Sequence, residues 1–248
     1  MLLVLDPVSA LAQDLRALPP ALAQPFFVEA VRPLRWLTHP PEGAWEAYRS
    51  GRCLPGEARA IEVALIERFA REPEYGRLVR LGLAHTGRPG LSTLVLTGAS
   101  ADEEAAVLEA SWQILARSQK PDLRLVTYGG VKWGLPFLVR RSLLCGLAPS
   151  RALPLGRPRL DVHFDVDAVL ANWDARRSRP LELAAWQYAL PGPWGQADEA
   201  TGADTTAAIR RALEAGDREA ARSLADARLR ALVGLHARLA ASYLGGTA

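Results

Sequence analysis

Short apolar stretches with strand-like composition alternate with helical patterns along this chain, and their order restricts the possible fold more than any other feature. The clearest signal lies at residues 77–96, where an alternating apolar stretch, a Gly-Arg-Pro-Gly turn and a β-branched stretch predict a hairpin. The first strand is a short apolar run that stops at Asp6 and Pro7. Five strands are predicted in all, at residues 2–5, 77–85, 92–96, 123–128 and 159–164.

Helical periodicity fills most of the intervals between these strands. Ser100 and Glu103 form a capping box that opens a helix directly after the hairpin. Helices are predicted at residues 56–71, 100–118, 135–145, 181–190, 205–215 and 218–243. This order predicts the α/β class, with a mixed sheet covered by helices.

One large domain suits the length and composition, which are 248 residues, 49% hydrophobic and 23% charged. Residues 10–56 are interrupted by prolines and predict an irregular insertion within a single domain that spans residues 1–248. This insertion is long for a connection in a compact domain, and it contains Trp36, Trp45 and Tyr48. These aromatic residues indicate an interaction surface.

The net charge and the cysteine content limit which cellular location and which partners we expect. The net charge of +3 permits a polyanionic partner without requiring one. Cys53 and Cys145 lack the spacing of metal ligands, which favours a reducing, cytoplasmic location. We expect no secretory signal, because residues 1–5 lack a basic region, and no membrane partner, because no apolar run reaches spanning length.

Three stretches carry a resemblance to a known family. They are Leu3–Asp6, then residues 76–84 followed by 101–104 and Trp112, and finally residues 125–141, which read LVTYGGVKWGLPFLVRR. They resemble the predicted 3'-5' exonucleases related to the proofreading domain of family B DNA polymerases, in the DEDD superfamily. The third stretch is the most specific of the three. The resemblance implies an RNase H-like mixed sheet flanked by helices over nearly the full length.

The family hydrolyses phosphodiesters with two divalent ions, and four carboxylates hold them. Asp6 matches the first carboxylate and Asp226 the fourth. Val8 and Gly134 stand where the second and third would be, and Arg222 stands where the family carries a tyrosine that orients water. The resemblance therefore implies a degenerate site whose remnant catalytic and metal residues are Asp6 and Asp226, with no cofactor or only weakly bound magnesium or manganese.

Ordinary structural roles compete with these assignments. Asp6 and Pro7 also form a typical turn start, and Asp226 lies four residues from both Arg222 and Arg230, where it can form helix salt bridges. Relocated acids could still replace the missing ligands, although structural roles are favoured for them too. The residues concerned are Asp161, His163, Asp165 and Asp167.

Basic and aromatic side chains surround the third stretch, which predicts a nucleic-acid-binding groove. Arginine and lysine position a phosphate backbone, and aromatic rings stack on bases. The predicted binding residues are Tyr128, Lys132, Trp133, Arg140 and Arg141. The competing interpretation places Trp133 in the core and the two arginines on a solvated helix face.

The leading hypothesis is a nucleic-acid-binding pseudoenzyme on an exonuclease-like fold, which acts as a subunit or adaptor in DNA or RNA processing. Its expected partner is a single-stranded end, with a protein as a second partner. Two alternatives stay open: an active metal-dependent 3'-5' exonuclease with relocated ligands, and a protein-interaction module without nucleic-acid binding. No phosphate-binding loop, nucleophile elbow or zinc pattern points to another chemistry.

Overall fold

The structure is a computed structural model of the chain. It describes residues 2–11, 20–34, 37–38, 40–87, 90–98, 100–117, 123–149, 153, 159–194 and 205–244. The chain divides into two compact units. The sheet unit comprises Met1–Val8 and Leu78–Ala248, and the helical unit comprises Ser9–Arg77.

The strands form one five-stranded mixed sheet. They are β1 (Leu2–Leu11), β2 (Gly76–Gly87), β3 (Gly90–Thr97), β4 (Arg124–Thr127) and β5 (His163–Asp165). Their order in the sheet is β3-β2-β1-β4-β5. β4 pairs in parallel with β1 and with β5, whereas β2 and β3 form an antiparallel hairpin. The predicted α/β class and mixed sheet are confirmed.

β1 and β2 run in opposite directions. The backbone amide of Leu2 donates to Thr86, near the end of β2. Four residues further along β1, the carbonyl of Asp6 accepts a hydrogen bond from Arg80, near the start of β2. The partner number falls as β1 advances, which is the antiparallel relation.

Helices cover both faces of the sheet. They are α4 (Ala101–Arg117), α5 (Leu135–Leu144), α6 (Val166–Leu170), α7 (Leu181–Gln187), α8 (Thr205–Glu214) and α9 (Arg218–Tyr243). A π-helical turn at Gly130–Gly134 precedes α5, and a 3₁₀ turn at Ala175–Arg177 precedes α7. Ser100 accepts a hydrogen bond from the Glu103 amide at 3.2 Å, as expected for the predicted cap. Among the helices that the structure describes, none has both the length and the apolar composition needed to cross a bilayer.

β1 is buried on both sides, because its alternate residues enter two different cores. Leu3 and Leu5 pack with α4 and α5, whereas Val4 packs with α9. Asp6 follows Val4 by two residues, so its side chain points toward α9. The central strand thereby carries an acid into the apolar layer between the sheet and α9.

In the helical unit, the described residues form the helices α1 (Pro20–Val31), α2 (Pro41–Arg49) and α3 (Pro55–Phe69). Each begins at a proline, a residue whose fixed φ suits the first helical position. The same prolines made residues 10–56 look irregular, so the sequence did not predict α1 and α2.

The aromatic residues of the helical unit form its core. Trp45 and Tyr48 are buried, and Trp45 packs against Phe27 with ring centroids 4.9 Å apart. Their burial corrects the expectation that they form an interaction surface. Trp36, the third aromatic residue in that expectation, lies outside the described residues.

Candidate functional site

Three parallel strands bring two of the predicted acids, Asp6 and Asp165, to one edge of the sheet. Leu5 on β1 is in register with Thr127, the last residue of β4, and Thr127 is in register with Asp165, the last residue of β5. Asp6 lies one residue beyond Leu5, so it reaches the same edge. Ligands of α/β sheets commonly bind at this carboxyl edge.

Two guanidinium groups bind the carboxylate of Asp6. Arg80 on β2 donates to Oδ2 through Nη2 at 2.6 Å. Arg228 on α9 donates to Oδ2 through Nε at 2.9 Å and to Oδ1 through Nη2 at 3.1 Å. Asp6 is only 4% exposed, so both of its oxygen atoms are engaged inside the protein.

Arg228 also reaches a second acid. Its Nη1 donates to Oε1 of Glu182 on α7 at 2.6 Å and to Oγ1 of Thr205 on α8 at 2.8 Å. Thr205 in turn donates to Glu182 through its backbone amide and its hydroxyl. We call these five residues, Asp6, Arg80, Glu182, Thr205 and Arg228, the buried ion-pair cluster. Its two carboxylates and two guanidinium groups balance in charge.

The electrostatics of the cluster favour full ionisation of Asp6. Burial raises the pKa of Asp6, but Arg228 and Arg80 outweigh burial and hold that pKa well below its ordinary value. Burial lowers the pKa of Arg80, with Asp6 opposing, yet a guanidinium keeps its proton in proteins. Asp6 and Arg80 therefore carry opposite formal charges at neutral pH.

Gly82 leaves space for one of these guanidinium groups. A Cβ at this position would lie 2.7 Å from Nη1 of Arg80 and 3.3 Å from the side chain of Leu229. A larger residue here would have to shift the Arg80 guanidinium, which pairs with Asp6.

This arrangement does not fit a pair of divalent ions. Two-metal hydrolysis needs carboxylate oxygens that face the cations, whereas those of Asp6 face two positive groups. Val8 is a fully buried aliphatic residue. A Cβ at Gly134 would lie 3.1 Å from Cγ of Pro7, so a side chain there would press the proline ring aside by a few tenths of an ångström.

Asp226 lies on a different face of α9 from Arg228. Two residues along a helix are roughly 200° apart around the axis. Since Arg228 points to Asp6, Asp226 points away from it. Asp226 is partly exposed and pairs with Arg230 at 3.5 Å, and Arg222 is exposed on the same helix. The structure does not bring together Asp6 and Asp226.

The sequence did not lead us to three charged members of the cluster, Arg80, Glu182 and Arg228, although it contained a signal for the two arginines. Arg80 stands inside an apolar strand, between Val79 and Leu81, and Arg228 precedes the buried Leu229 on α9. A charge within an apolar stretch needs an opposite charge when it is buried. Glu182 gives no comparable signal, because it lies in the first turn of a helix, where acids are common.

Asp165 fixes the loop after β4. Its Oδ1 accepts from the Gly129 amide and its Oδ2 from the Val131 amide, each at 2.8 Å. Burial raises the pKa of Asp165, and these backbone hydrogen bonds oppose the rise. Gly129 has a φ of 65°, which favours glycine. Both carboxylate oxygens of Asp165 therefore accept hydrogen bonds from the backbone of this loop.

Asp167 fixes the loop before α7. It accepts from the Ser178 hydroxyl at 2.7 Å and from the Arg179 amide at 3.4 Å. Tyr128 joins this loop to the end of β4, since its hydroxyl donates to the Arg179 carbonyl at 2.8 Å. Burial raises the pKa of Tyr128, and the charge of Asp167 raises it further. We call residues 128–132, 165–167 and 178–179 the β4–β5 edge.

The remaining candidates for relocated ligands also have structural contacts. His163 is buried and its Nε2 lies 2.8 Å from the hydroxyl of Thr127. Asp161 is exposed and pairs with Arg159 at 2.6 Å. Within the part of the chain that the structure describes, no three histidine, cysteine or acidic side chains come together as a ligand set.

The five predicted nucleic-acid-binding residues have different environments. Tyr128 is half-buried, and Lys132 and Arg140 are exposed. Trp133 is half-buried and packs against Phe137, with ring centroids 5.4 Å apart. The competing prediction, that Trp133 belongs to the core, describes its contacts better.

Arg141 is a structural residue. It pairs with the buried Glu104 through Nη2 at 2.5 Å and through Nε at 2.9 Å. Burial lowers the pKa of Arg141, but the hydrogen bonds and charge of Glu104 raise it above its ordinary value. Glu104 also accepts from the Leu78 amide at 2.6 Å, so this pair connects α4, α5 and β2.

The carboxyl edge therefore combines a charge-balanced, buried cluster with an exposed basic rim. The cluster can neutralise acids inside the protein, and the rim can contact a polyanion. This rim consists of Lys132, in the π-helical turn after β4, and Arg179, whose backbone carbonyl accepts a hydrogen bond from Tyr128. Comparison with models of known protein families and with curated proteins gave no match for this chain.

Proposed function

We propose that the chain is a nucleic-acid-binding protein on an RNase H-like, 3'-5' exonuclease-type fold that has lost phosphodiester hydrolysis. One observation carries this proposal: both oxygens of Asp6 are bound by Arg80 and Arg228. Asp6 is the first carboxylate that the exonuclease resemblance requires. Here guanidinium groups occupy the positions around it that metal ions would need.

The meeting of β1 with the turn after β4 supports the fold part of the proposal. β1 and β4 are neighbours in the sheet, and Gly134 lies directly against Pro7. These are the segments that carry the first and third motifs of the resemblance. A mixed sheet with helices on both faces agrees with the fold that the resemblance implies.

Charge balance supports nucleic-acid binding without metal. Bare carboxylates at this edge would repel phosphate groups, and metal ions ordinarily remove that repulsion. In the buried ion-pair cluster, Arg80 and Arg228 neutralise Asp6 and Glu182 instead. The cluster itself therefore presents no net acidic charge to a phosphate backbone.

The exposed basic rim supplies the attraction. Lys132 follows the turn after β4, and Arg179 is tied to that turn through Tyr128. Arginine and lysine contacts of this kind position a backbone and make binding sensitive to salt. We therefore assign the single-stranded nucleic acid to the β4–β5 edge.

A binding and degradation assay on one sample tests the proposal. A 20-nucleotide single strand labelled at its 5' end is incubated with the protein and manganese, then followed by fluorescence anisotropy and by denaturing gel. We expect binding that weakens with salt, by a slope of about 0.7 per phosphate contact, and no shortening of the strand. Progressive shortening that Asp6→Ala abolishes would show an active exonuclease instead.

A matched pair of variants locates the binding surface. Lys132→Glu reverses a charge on the β4–β5 edge, and Arg218→Glu makes the same charge change at the exposed start of α9. We expect only Lys132→Glu to weaken binding strongly. Equal losses in the two variants would mean that net charge alone drives binding, and the assignment to this edge would be wrong.

A further inference from the structure

Trp173 and Tyr243 form an exposed aromatic pair on the sheet unit. Trp173 follows α6 and Tyr243 is the last residue of α9, and their rings meet edge to face with centroids 6.3 Å apart. Trp173 is 49% exposed and Tyr243 is 44% exposed, although side chains this large are usually mostly buried. Much of the surface of both residues therefore stays accessible.

The backbone holds Trp173 in an unfavourable conformation. α6 ends in a Schellman motif, in which the Asn172 amide donates to Val169 and the Trp173 amide donates to Ala168. This motif explains the positive φ of Asn172, because asparagine commonly fills that position. It does not require the φ of 59° at Trp173, which disfavours a bulky side chain. Strained residues of this kind concentrate at functional sites.

Two arginines belong to the 3₁₀ turn that follows Trp173 in the chain. Asp174 caps the 3₁₀ turn and accepts from Nε of Arg176 at 3.1 Å, and Nε of Arg177 lies 3.6 Å from its other oxygen. Both arginines are highly exposed, with side chains that are 91% and 69% accessible. Since Asp174 offsets only one of the two charges, the segment next to Trp173 is basic.

This segment also connects the aromatic pair to the β4–β5 edge. It runs from Trp173 to Arg179, whose carbonyl accepts from the Tyr128 hydroxyl. Six residues span at most roughly 20 Å, so a short nucleic-acid single strand could contact both the aromatic pair and the β4–β5 edge.

We propose that Trp173, supported by Tyr243, is a base-stacking subsite for single-stranded nucleic acid. An unpaired base stacks on the exposed indole, and Arg176 and Arg177 contact neighbouring phosphates. Bases inside a duplex are already stacked, so this subsite selects single strands. The inference rests on the proposed nucleic-acid binding and adds to it the part of the ligand that is recognised.

Anisotropy titrations with two probes test the subsite. The probes are a labelled 12-nucleotide thymidine strand and an abasic strand of the same length, which keeps the phosphates without the bases. Trp173→Gly removes the ring and also the strain, because glycine accepts this φ. We expect it to weaken binding of the thymidine strand by about 5- to 150-fold and to leave the abasic strand unaffected.

Three further variants serve as controls. Trp186→Ala removes a tryptophan that is 62% exposed on α7, and it should change neither titration. Trp173→Phe should keep most of the affinity because it keeps a ring, whereas Trp173→Leu, which is apolar without a ring, should lose it. The last two variants decide the result if Trp173→Gly proves less stable than the wild-type protein.

The outcomes separate the subsite from the general function. If the wild-type protein binds the thymidine strand and the Trp173 variants bind it equally well, the stacking subsite is wrong and nucleic-acid binding stands. An equal loss on the abasic strand also overturns stacking. If the wild-type protein binds neither strand, the proposed function and the subsite fall together.

Discussion

The guanidinium of Arg228 on α9 binds both carboxylate oxygens of Asp6 on β1, at 2.9 and 3.1 Å. This bidentate pair joins residues that are 222 positions apart in the sequence. A planar fork matches a carboxylate in a way that lysine cannot. The pair links α9 to β1 at the carboxyl edge of the sheet through charge-assisted hydrogen bonds.

Arg228→Met should destabilise the sheet unit severely. The substitution leaves Asp6 with one partner and Glu182 without its guanidinium, and breaking a buried pair costs about 3–5 kcal/mol. Urea denaturation would measure the loss in the free energy of unfolding. Arg230→Met is the control, because its ion pair with Asp226 is largely exposed and should be worth about 0–1 kcal/mol. Equal losses would mean that the buried ion-pair cluster does not hold the fold together.

Asp6 should make the protein sensitive to strong acid. The pKa of Asp6 is lowered in the folded protein. Above the pKa of an aspartate in the unfolded chain, about 3.9, its ionised carboxylate stabilises the native state fully. This stabilisation is lost as the pH falls further. Unfolding measured from pH 5 downward should therefore show a steep decline, and Asp6→Asn should flatten it. A wild-type decline that Asp6→Asn leaves unchanged would contradict the assignment.

His236 should act in a separate, higher pH window. Burial, together with the charge of Arg124, lowers its pKa to about 4, and its ring packs against Phe164. As the pH falls below about 6.5, His236 is protonated in the unfolded chain before it is protonated in the folded protein. The free energy of unfolding should therefore drop by about 1–3 kcal/mol between that pH and pH 4. His236→Phe should remove this dependence in a urea series. A variant curve parallel to that of the wild-type protein would contradict it.

Restoring the missing acids should not restore hydrolysis. In the double variant Val8→Glu, Gly134→Asp, the Cβ introduced at position 134 would press on Pro7, and Arg80 and Arg228 would still hold Asp6. We expect lower stability, by about 1–3 kcal/mol or more, and no manganese-dependent shortening of a labelled strand. Gly56→Asp is a control for the glycine change, because a Cβ there meets no atom within 4 Å. Metal-dependent hydrolysis by the double variant would show that the ion pairs do not block the site.

Arg140 and Arg141 should behave oppositely although they are adjacent. Arg141→Ala removes the partner of the buried Glu104 and should cost about 3–5 kcal/mol of stability. Arg140→Ala changes an exposed side chain, so it should cost much less stability than Arg141→Ala and should weaken nucleic-acid binding. Parallel thermal melts and anisotropy titrations would separate the two roles. A stable Arg141→Ala variant with weak binding would instead place Arg141 in the binding surface.

The sequence predicts most elements of the sheet unit because their patterns are local, although it misses α6 and places β5 at residues 159–164 instead of His163–Asp165. The hairpin, the Ser100 cap of α4 and the periodicity of α9 each depend on residues close together in the chain. The helical unit was harder to predict, because prolines at the starts of α1 and α2 also signal loops. β1 continues past Pro7, which the sequence suggested as its end.

The site depends on contacts that no local pattern contains. The motif alignment gives Asp6 and Asp226, but the helical phase of α9 decides which residue meets β1, and that residue is Arg228. The role of Arg141 likewise depends on Glu104, 37 positions away. In both cases an arginine that could have bound phosphate serves a buried acid instead.

The affinity for a labelled single strand, measured in a chelator and again with excess manganese, tests the central claim most directly. Because Arg80 and Arg228 neutralise Asp6, we predict the same affinity in both buffers once ionic strength is matched, for the wild-type protein. Tighter binding in manganese that Asp6→Asn abolishes would contradict it, since Asp6 would then be a metal ligand.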